Sequence, residues 1–288
     1  MSILPQLILN SIIAGSIYAL IALGFNLIYG TTRFFDLGYG ALTAVGGYSV
    51  YFFYKVLGLD IFLSIIIGLI IAGSIGFLTY KGVYSPLRKR KSSSMVLLVS
   101  ALGVLTAIQA IIAILFTSQF QTLSRHSGSE NIFHILGGVI TQTQLITLII
   151  ALLIMIAIGL VFRYTLFGKA IKAIGDDEEV SKIVGINTEK IIGKVFFIGS
   201  AIGGLAGMLI GFDTGIEPTM GLSLLLKGVI ASIIGGIGNV YGGVIGAFFL
   251  AFIENFGIWK ISGEWKDAIA FGVLIIFLLW RPQGILKK

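Results

Sequence analysis

An all-α, polytopic membrane protein with about nine membrane segments is the fold class the sequence predicts, and three observations carry that expectation. The chain is 57% hydrophobic and only 11% charged, well above the roughly 45–50% apolar share of soluble domains. Its apolar residues fall in runs of about 18–22, the length that crosses about 30 Å of hydrocarbon at 1.5 Å per residue. Those runs do not alternate apolar with polar in segments of about ten, as the strands of a membrane barrel would.

In order along the chain, the runs are 7–30, 37–54, 61–80, 95–116, 143–162, 194–212, 222–238, 240–257 and 267–280. The first opens without a basic n-region or a small-residue cleavage site, which predicts no removable signal peptide. The second carries Gly38, Gly40, Gly46 and Gly47, and the sixth places Gly199, Gly203 and Gly207 on one face. Small residues at that spacing let helix backbones approach closely. The run 222–238, "LSLLLKGVIASIIGGIG", contains Lys227 and ends in glycines. It reads either as a full crossing or as one arm of a re-entrant pair shielded by protein. Gly235, Gly236, Gly238, Gly242, Gly243 and Gly246 mark the break; tight packing and a discontinuous, path-lining helix both fit them.

Basic residues set the orientation, because short cytoplasmic loops are rich in Lys and Arg. The loop holding Lys81, Arg88, Lys89, Arg90 and Lys91 is predicted cytoplasmic, as are 163–194 and the tail with Arg281, Lys287 and Lys288. The loops at 117–144, with one Arg, and 213–221, with no Lys or Arg, then face outward. This puts the N-terminus outside and the C-terminus in the cytoplasm, with an odd number of crossings: nine, or seven plus a re-entrant pair. Residues 1–288 read as a single transmembrane domain with a cytoplasmic loop at about 163–193.

Composition also excludes functions. Zero Cys removes disulfides, thiol catalysis and Cys-ligated metal. The net charge of +7 is what basic cytoplasmic loops produce, so no nucleic-acid partner is expected. No H-E-x-x-H or carboxylate cluster points to a catalytic or metal site, and His126 and His134 sit together in an outward loop. A phosphate loop G-x-x-x-x-G-K-[ST] is missing; the nearest approach, "GLSLLLKG", has the wrong glycine spacing.

The segment "GKAIKAIGDDEEVSKIVGIN", Gly168–Asn187, breaks the apolar pattern. Gly175 is expected to interrupt a helix. Asp176 then caps a second short one, with Glu179 three residues on as in a capping box. Acids in the first turn and Lys182 near the end suit the helix dipole, and Gly185 suits the left-handed position after a helix end. Four consecutive acids disfavour a helix lying on an anionic inner leaflet. The segment is therefore read as a docking knob for a soluble partner, built from Lys172, Gly175, Asp176, Asp177, Glu178, Glu179, Val180, Ser181 and Gly185.

"EVSKIVG" fits the pattern E-A-A-x-x-x-G of the coupling loop in permease subunits of bacterial ABC importers. Together with "YALIALGFNLIYGTTRFFDLGYGAL", "GGIGNVYGGVIGAFFLAFIEN" and "LLWRPQGIL", in that order, the chain resembles the LivH-type permeases of branched-chain amino acid importers. Val180 and Ser181 stand where that loop carries two alanines, and the apolar-Leu-Pro ending of other importer permeases is absent, as fits the LivH branch. The resemblance implies a subunit of the bacterial inner membrane that pairs with a second permease, related or identical. Two cytoplasmic ATPases, which bind the ATP and Mg, would dock on the coupling loops, and an external binding protein would deliver substrate. This chain itself would hold no cofactor and would be no enzyme.

Polar groups at membrane depth are costly and mark candidate pathways. On that ground the translocation-path candidates are Asn26, Tyr29, Asp36, Tyr39, Lys227, Gly235, Gly236, Glu254 and Asn255. Asp36 is read equally as the partner of Arg33 in a turn, Lys227 as either snorkelling or meeting Glu254, and Glu254 as interfacial. A permease for urea or short amides, a lone ion-coupled carrier and a passive channel remain the alternatives. An ion-coupled carrier would want ionisable residues at mid-membrane, whereas these lie near helix ends.

Overall fold

The computed structural model describes residues 3–123, 132–135, 137–281 and 283–286. His126, Lys287 and Lys288 lie outside these. Among the described residues, helices dominate: α1 (Ile3–Thr32), α2 (Gly38–Val50), α3 (Ile61–Thr79), α4 (Ser85–Lys89), α5 (Ser94–Phe116), α6 (Gln142–Tyr164), α7 (Leu166–Asp176), α8 (Glu178–Ile183), α9 (Thr188–Asp213), α10 (Met220–Gly235), α11 (Val240–Gly257) and α12 (Lys266–Trp280). A π-helical turn, Tyr51–Val56, extends α2, and another, Tyr80–Tyr84, joins α3 to α4. Six helical spans among the described residues are long and apolar enough to cross a membrane: 3–32, 61–89, 94–116, 142–164, 188–213 and 240–257; α10 is a shorter apolar helix.

Local chemistry fixes the helix starts. Asp60 Oδ1 accepts from Phe62 N at 2.8 Å at the head of α3. Thr141 and Gln144 form a capping box on α6, each side chain bonding the other's backbone N–H at 3.2 Å. Asn187 and Asn239 cap α9 and α11. Such caps satisfy donors that a helix terminus otherwise leaves orphaned.

Packing divides the helices into two shells. In α1 and α9, 72% of the membrane-length window is buried, against 28%, 22% and 17% in the α3, α5 and α6 spans. The centre is α1, α2, α9 and α10, and glycines set its tightness. A Cβ on Gly46 would strike the backbone of Gly204, one on Gly207 the Thr43 carbonyl, and one on Gly221 the Gly40 carbonyl. The sixth run's stripe thus faces α1 and α2: Gly199 lies on Ile28 and Gly203 on the Tyr39 ring. Exposed Leu102, Ile111, Ile114, Leu152, Leu153 and Ile156 cover the outer shell, an apolar surface suited to hydrocarbon.

One element departs from the all-α expectation. β1 (Ile132–Ile135) and β2 (Gly138–Thr141) pair antiparallel, Ile132 facing Thr141. Gln6 at the start of α1 ties β2 down, accepting from Val139 N at 2.8 Å and donating to its carbonyl at 3.1 Å. A four-residue strand in a polar loop carries too short a pattern to stand out beside helices of twenty residues. At the other end of α1, Arg33 reaches α7; the hairpin and the α7–α8 knob therefore occupy opposite ends of the bundle.

Candidate functional site

The knob is two helices meeting at an extended residue, and that residue is Asp177 (φ −152°, ψ 114°), not Gly175. Gly175 stays inside α7, buried, with its carbonyl accepting from Arg33 Nε at 3.2 Å and also from Nη2. The guanidinium holds the end of α7 helical, so the break moves on by two residues. Asp177 then caps α8, its Oδ1 accepting from Val180 N at 3.0 Å. Glu179 falls in the second helical position, and no capping box with Asp176 forms. Gly185 does take the left-handed conformation, φ +87°. Gly185 N reaches Lys182 O and Ile186 N reaches Ser181 O, both at 3.0 Å, the paired bonds of a Schellman ending.

One acid of the knob anchors it to a neighbouring helix. Glu178 points inward, 2.6 Å from Arg88 Nη2 on α4 and 3.2 Å from Lys182. Glu179 pairs with Lys182 at 3.0 Å and, with Glu178, raises the lysine's pKa. Ser181 is buried. Beside exposed Asp176, Asp177 and Glu179, the tip also presents apolar side chains: Val180, Ile183 and Val184 are 54%, 84% and 68% exposed. Beneath the knob lies a cavity of about 340 Å³ lined by Asn26, Gly30, Lys172, Gly175, Asp176 and Gly238 among others.

Across that cavity stands the turn of a helical hairpin. α10 and α11 are joined by Gly236–Asn239, and Asn26 on α1 holds the turn: its Nδ2 donates to Ser232 Oγ at 3.0 Å, while its Oδ1 accepts from Gly238 N at 2.8 Å. Gly236 sits at φ +115°, where a Cβ would also strike the Leu286 carbonyl. The chain end returns here, Ile285 N bonding Ile234 O at 2.8 Å and Leu286 N bonding Gly235 O at 3.0 Å. α10 is enclosed by protein over most of its length.

Arg33 and Asp36 do not pair, contrary to one sequence expectation. Arg33 serves Gly175, and Asp36 Oδ1 accepts from Tyr84 Oη at 2.6 Å. Burial pushes the Asp36 carboxyl up to about 6, against the opposing pull of Tyr84 and the Gly38 and Tyr39 N–H groups. Tyr39 donates to Ile21 O at 3.2 Å. Tyr29 stacks on Phe25 and meets Phe35 edge-on.

At the far end of the hairpin, Lys227 meets Glu254 at 2.6 Å and Asp267 at 2.7 Å, so it does not snorkel away. Glu254 is wholly buried rather than interfacial. Its Oε2 accepts from Tyr18 Oη at 2.8 Å and lies 3.8 Å from Lys266 Nζ. Asn255 bonds back to Ala251 O at 2.8 Å. The candidates thus separate: Asn26, Gly235 and Gly236 gather under the knob, Lys227, Glu254 and Asn255 at the opposite end, and Asp36 with Tyr39 beside α2. Tyr18, Lys266 and Asp267 were missed, having no motif or periodicity to join them to residues up to 236 positions away.

A tightly packed bundle around an enclosed hairpin, with a knob projecting at one end and apolar helices outside, defines a multi-pass helical membrane protein. The chain belongs to the family of branched-chain amino acid transport system permease components, whose model matches residues 7–278. It is 30% identical to the high-affinity branched-chain amino acid transport system permease protein LivH of Escherichia coli K12 and 29% identical to BraD of Pseudomonas aeruginosa, each over 98% of this chain and 95% of the relative. LivM of E. coli is similar at 22% identity, over 94% of this chain and 68% of LivM. Among solved structures, PsaBC from Streptococcus pneumoniae in complex with Fab shares the fold at TM-score 0.51 and 14% identity, over 98% of this chain and 93% of that one.

Proposed function

We propose that this chain is a permease subunit of an ATP-driven importer in the bacterial inner membrane, forming part of the path for branched-chain or other neutral amino acids. It works with a second permease, two cytoplasmic ATPases that bind ATP and Mg, and an external binding protein. The chain holds no cofactor of its own. The knob end faces the cytoplasm with the C-terminus, the β-hairpin end faces out with the N-terminus, and nine segments cross or enter the bilayer within one domain.

The observation that carries this reading is the knob's construction. Arg33 and Arg88 fasten it to α1 and α4, while Val180, Ile183 and Val184 face solvent. Exposed apolar side chains on a rigid, charge-anchored tip suit insertion into a groove of a soluble partner. A push on α8 passes through Arg33 to α1 and, across the cavity, to the Asn26-held turn of the hairpin. Lys172, Asp176, Asp177 and Glu179 flank the contact and Gly185 closes it.

The test is affinity purification of the tagged permease in mild detergent. Wild type should bring down an ATPase and a second permease. Ile183→Asp with Val184→Asp, and separately Ser181→Pro, should insert normally but lose the ATPase and transport. Undiminished copurification and uptake in both variants would sink the docking assignment.

A further inference from the structure

A second cavity, of about 380 Å³, opens on the flank of the bundle. α2 supplies its floor through buried Val45, Tyr48 and Ser49. α3 and α5 supply its walls, with Ile71 and Ile75 on one side and residues from Ile108 to Phe116 on the other. Both wall helices belong to the outer shell, whose membrane-length windows are mostly exposed. Phe52, Ile111 and Leu115 at the rim are 36%, 54% and 68% exposed, so the cavity opens sideways, toward hydrocarbon. Its lining runs along α5 from Ile108 to Phe116, about 12 Å at the helical rise. One leaflet of the hydrocarbon core is about 15 Å deep.

Of the two polar side chains in the lining, Ser49 is satisfied, its Oγ donating to Val45 O at 2.7 Å. Tyr48 is not: the residue is 1% exposed, and its Oη has no hydrogen-bond partner among the described residues. A buried hydroxyl left unpaired is costly, so a ligand that accepts from it is favoured. The Tyr48 ring lies 5.2 Å from that of Phe116, the last residue of α5. That puts it at the loop-side end of the cavity, the depth at which a lipid's ester groups meet its chains. An apolar slot nearly one leaflet deep, open to the bilayer and with a lone donor at its interfacial end, matches one ligand chemistry. We propose that the cavity holds an acyl chain of an ester-linked phospholipid, in the leaflet on the β-hairpin side, with an ester carbonyl accepting from Tyr48 Oη. A transmembrane helix of a second subunit suits the slot less, because its backbone carbonyls are already engaged within the helix. Neither the ATPase nor the transported substrate enters this assignment.

The experiment is native mass spectrometry of the full chain, purified in detergent, stripped of lipid and titrated with dioleoyl phosphatidylethanolamine. A parallel titration uses the ether-linked analogue, which keeps the chains but lacks the ester carbonyls. Wild type should retain the ester lipid and prefer it to the ether by about fivefold, the weight of one net hydrogen bond. Tyr48→Phe should weaken the ester lipid by about fivefold and erase the preference, a change that a merely structural tyrosine would not produce. Ile71→Phe with Ile108→Phe narrows the slot and should lose both lipids. No lipid retained by wild type, equal retention of the two lipids by wild type, or undiminished retention by the narrowed variant would each overturn the site. A wild-type chain that retains no lipid but forms a dimer, broken by Ile71→Phe with Ile108→Phe, would give the slot to a second copy and overturn it equally.

Discussion

Removing the ammonium of Lys227 isolates the energetics of the deepest charge cluster. Lys227 Nζ lies 2.6 Å from Glu254 Oε1 and 2.7 Å from Asp267 Oδ1, with 10% of its side chain exposed and none of Glu254's. At an effective dielectric near 20, a 2.6 Å separation corresponds to a gross attraction of about 6 kcal/mol. Desolvation cancels most of that, so the intact pair contributes little net stability. Taking away one partner is different, because the other charge stays buried; such losses run to about 3–5 kcal/mol. The Tyr18 hydroxyl and the more distant Lys266 remain to Glu254, so Lys227→Met should fall at the low end, about 3 kcal/mol. At about 2–4 °C per kcal/mol, that is a fall of about 6–12 °C in the thermal transition of the purified permease. Lys227→Met with Glu254→Gln removes both charges and should recover more than half of the loss. A single variant within about 2 °C of wild type, or a double variant no better than the single, would refute the reasoning.

Other consequences follow from single contacts. Arg33→Gln frees the Gly175 carbonyl from its guanidinium partner; amide exchange over 166–183 should quicken while the rest of the bundle keeps its protection, and uniform protection would refute the anchor. Gly207→Ala drives a Cβ into the Thr43 carbonyl, whereas Gly103 has open space around it. The first change should cost about 1–3 kcal/mol and Gly103→Ala should stabilise α5 by up to about 1 kcal/mol, read as opposite shifts of the thermal transition. Tyr84→Phe removes the hydroxyl donating to Asp36 at 2.6 Å. Because the folded carboxyl is raised to about 6, stability falls as pH rises from the ordinary carboxylate value through 6. The charge that needs Tyr84 exists mainly above that pH. The variant's deficit should therefore reach about 1–3 kcal/mol at pH 8 and shrink at pH 5; an equal deficit at both would contradict it.

The membrane spans were legible because length and hydropathy are local properties. The run 240–257 matches α11 residue for residue, and 143–162 lies one or two residues inside α6. Caps are local too: Gly185 needed only its place after α8 to be read as left-handed. The knob was legible in outline, yet its break fell at Asp177, because the Arg33 guanidinium, 142 positions away, holds Gly175 in α7. Its acids suggested a charged tip, and Asp176, Asp177 and Glu179 are exposed there, but packing turned Glu178 inward to Arg88 and left Val180, Ile183 and Val184 outside as well.

By itself, then, the sequence determined that the chain is mostly helical, that it crosses a membrane many times, and where helices such as α6 and α11 begin and end. Those outcomes depend on contacts between residues a turn or two apart and on the solvent around them. Only the tertiary structure decided which polar residues meet. Lys227, Glu254, Tyr18 and Asp267 converge from four helices, and Asn26 takes the turn of a hairpin more than two hundred positions away. Within its own helix none of these residues carries a local sign of which of the possible partners it meets. Their partners are fixed by how glycine-lined backbones stack, a property of helix pairs that no single helix contains.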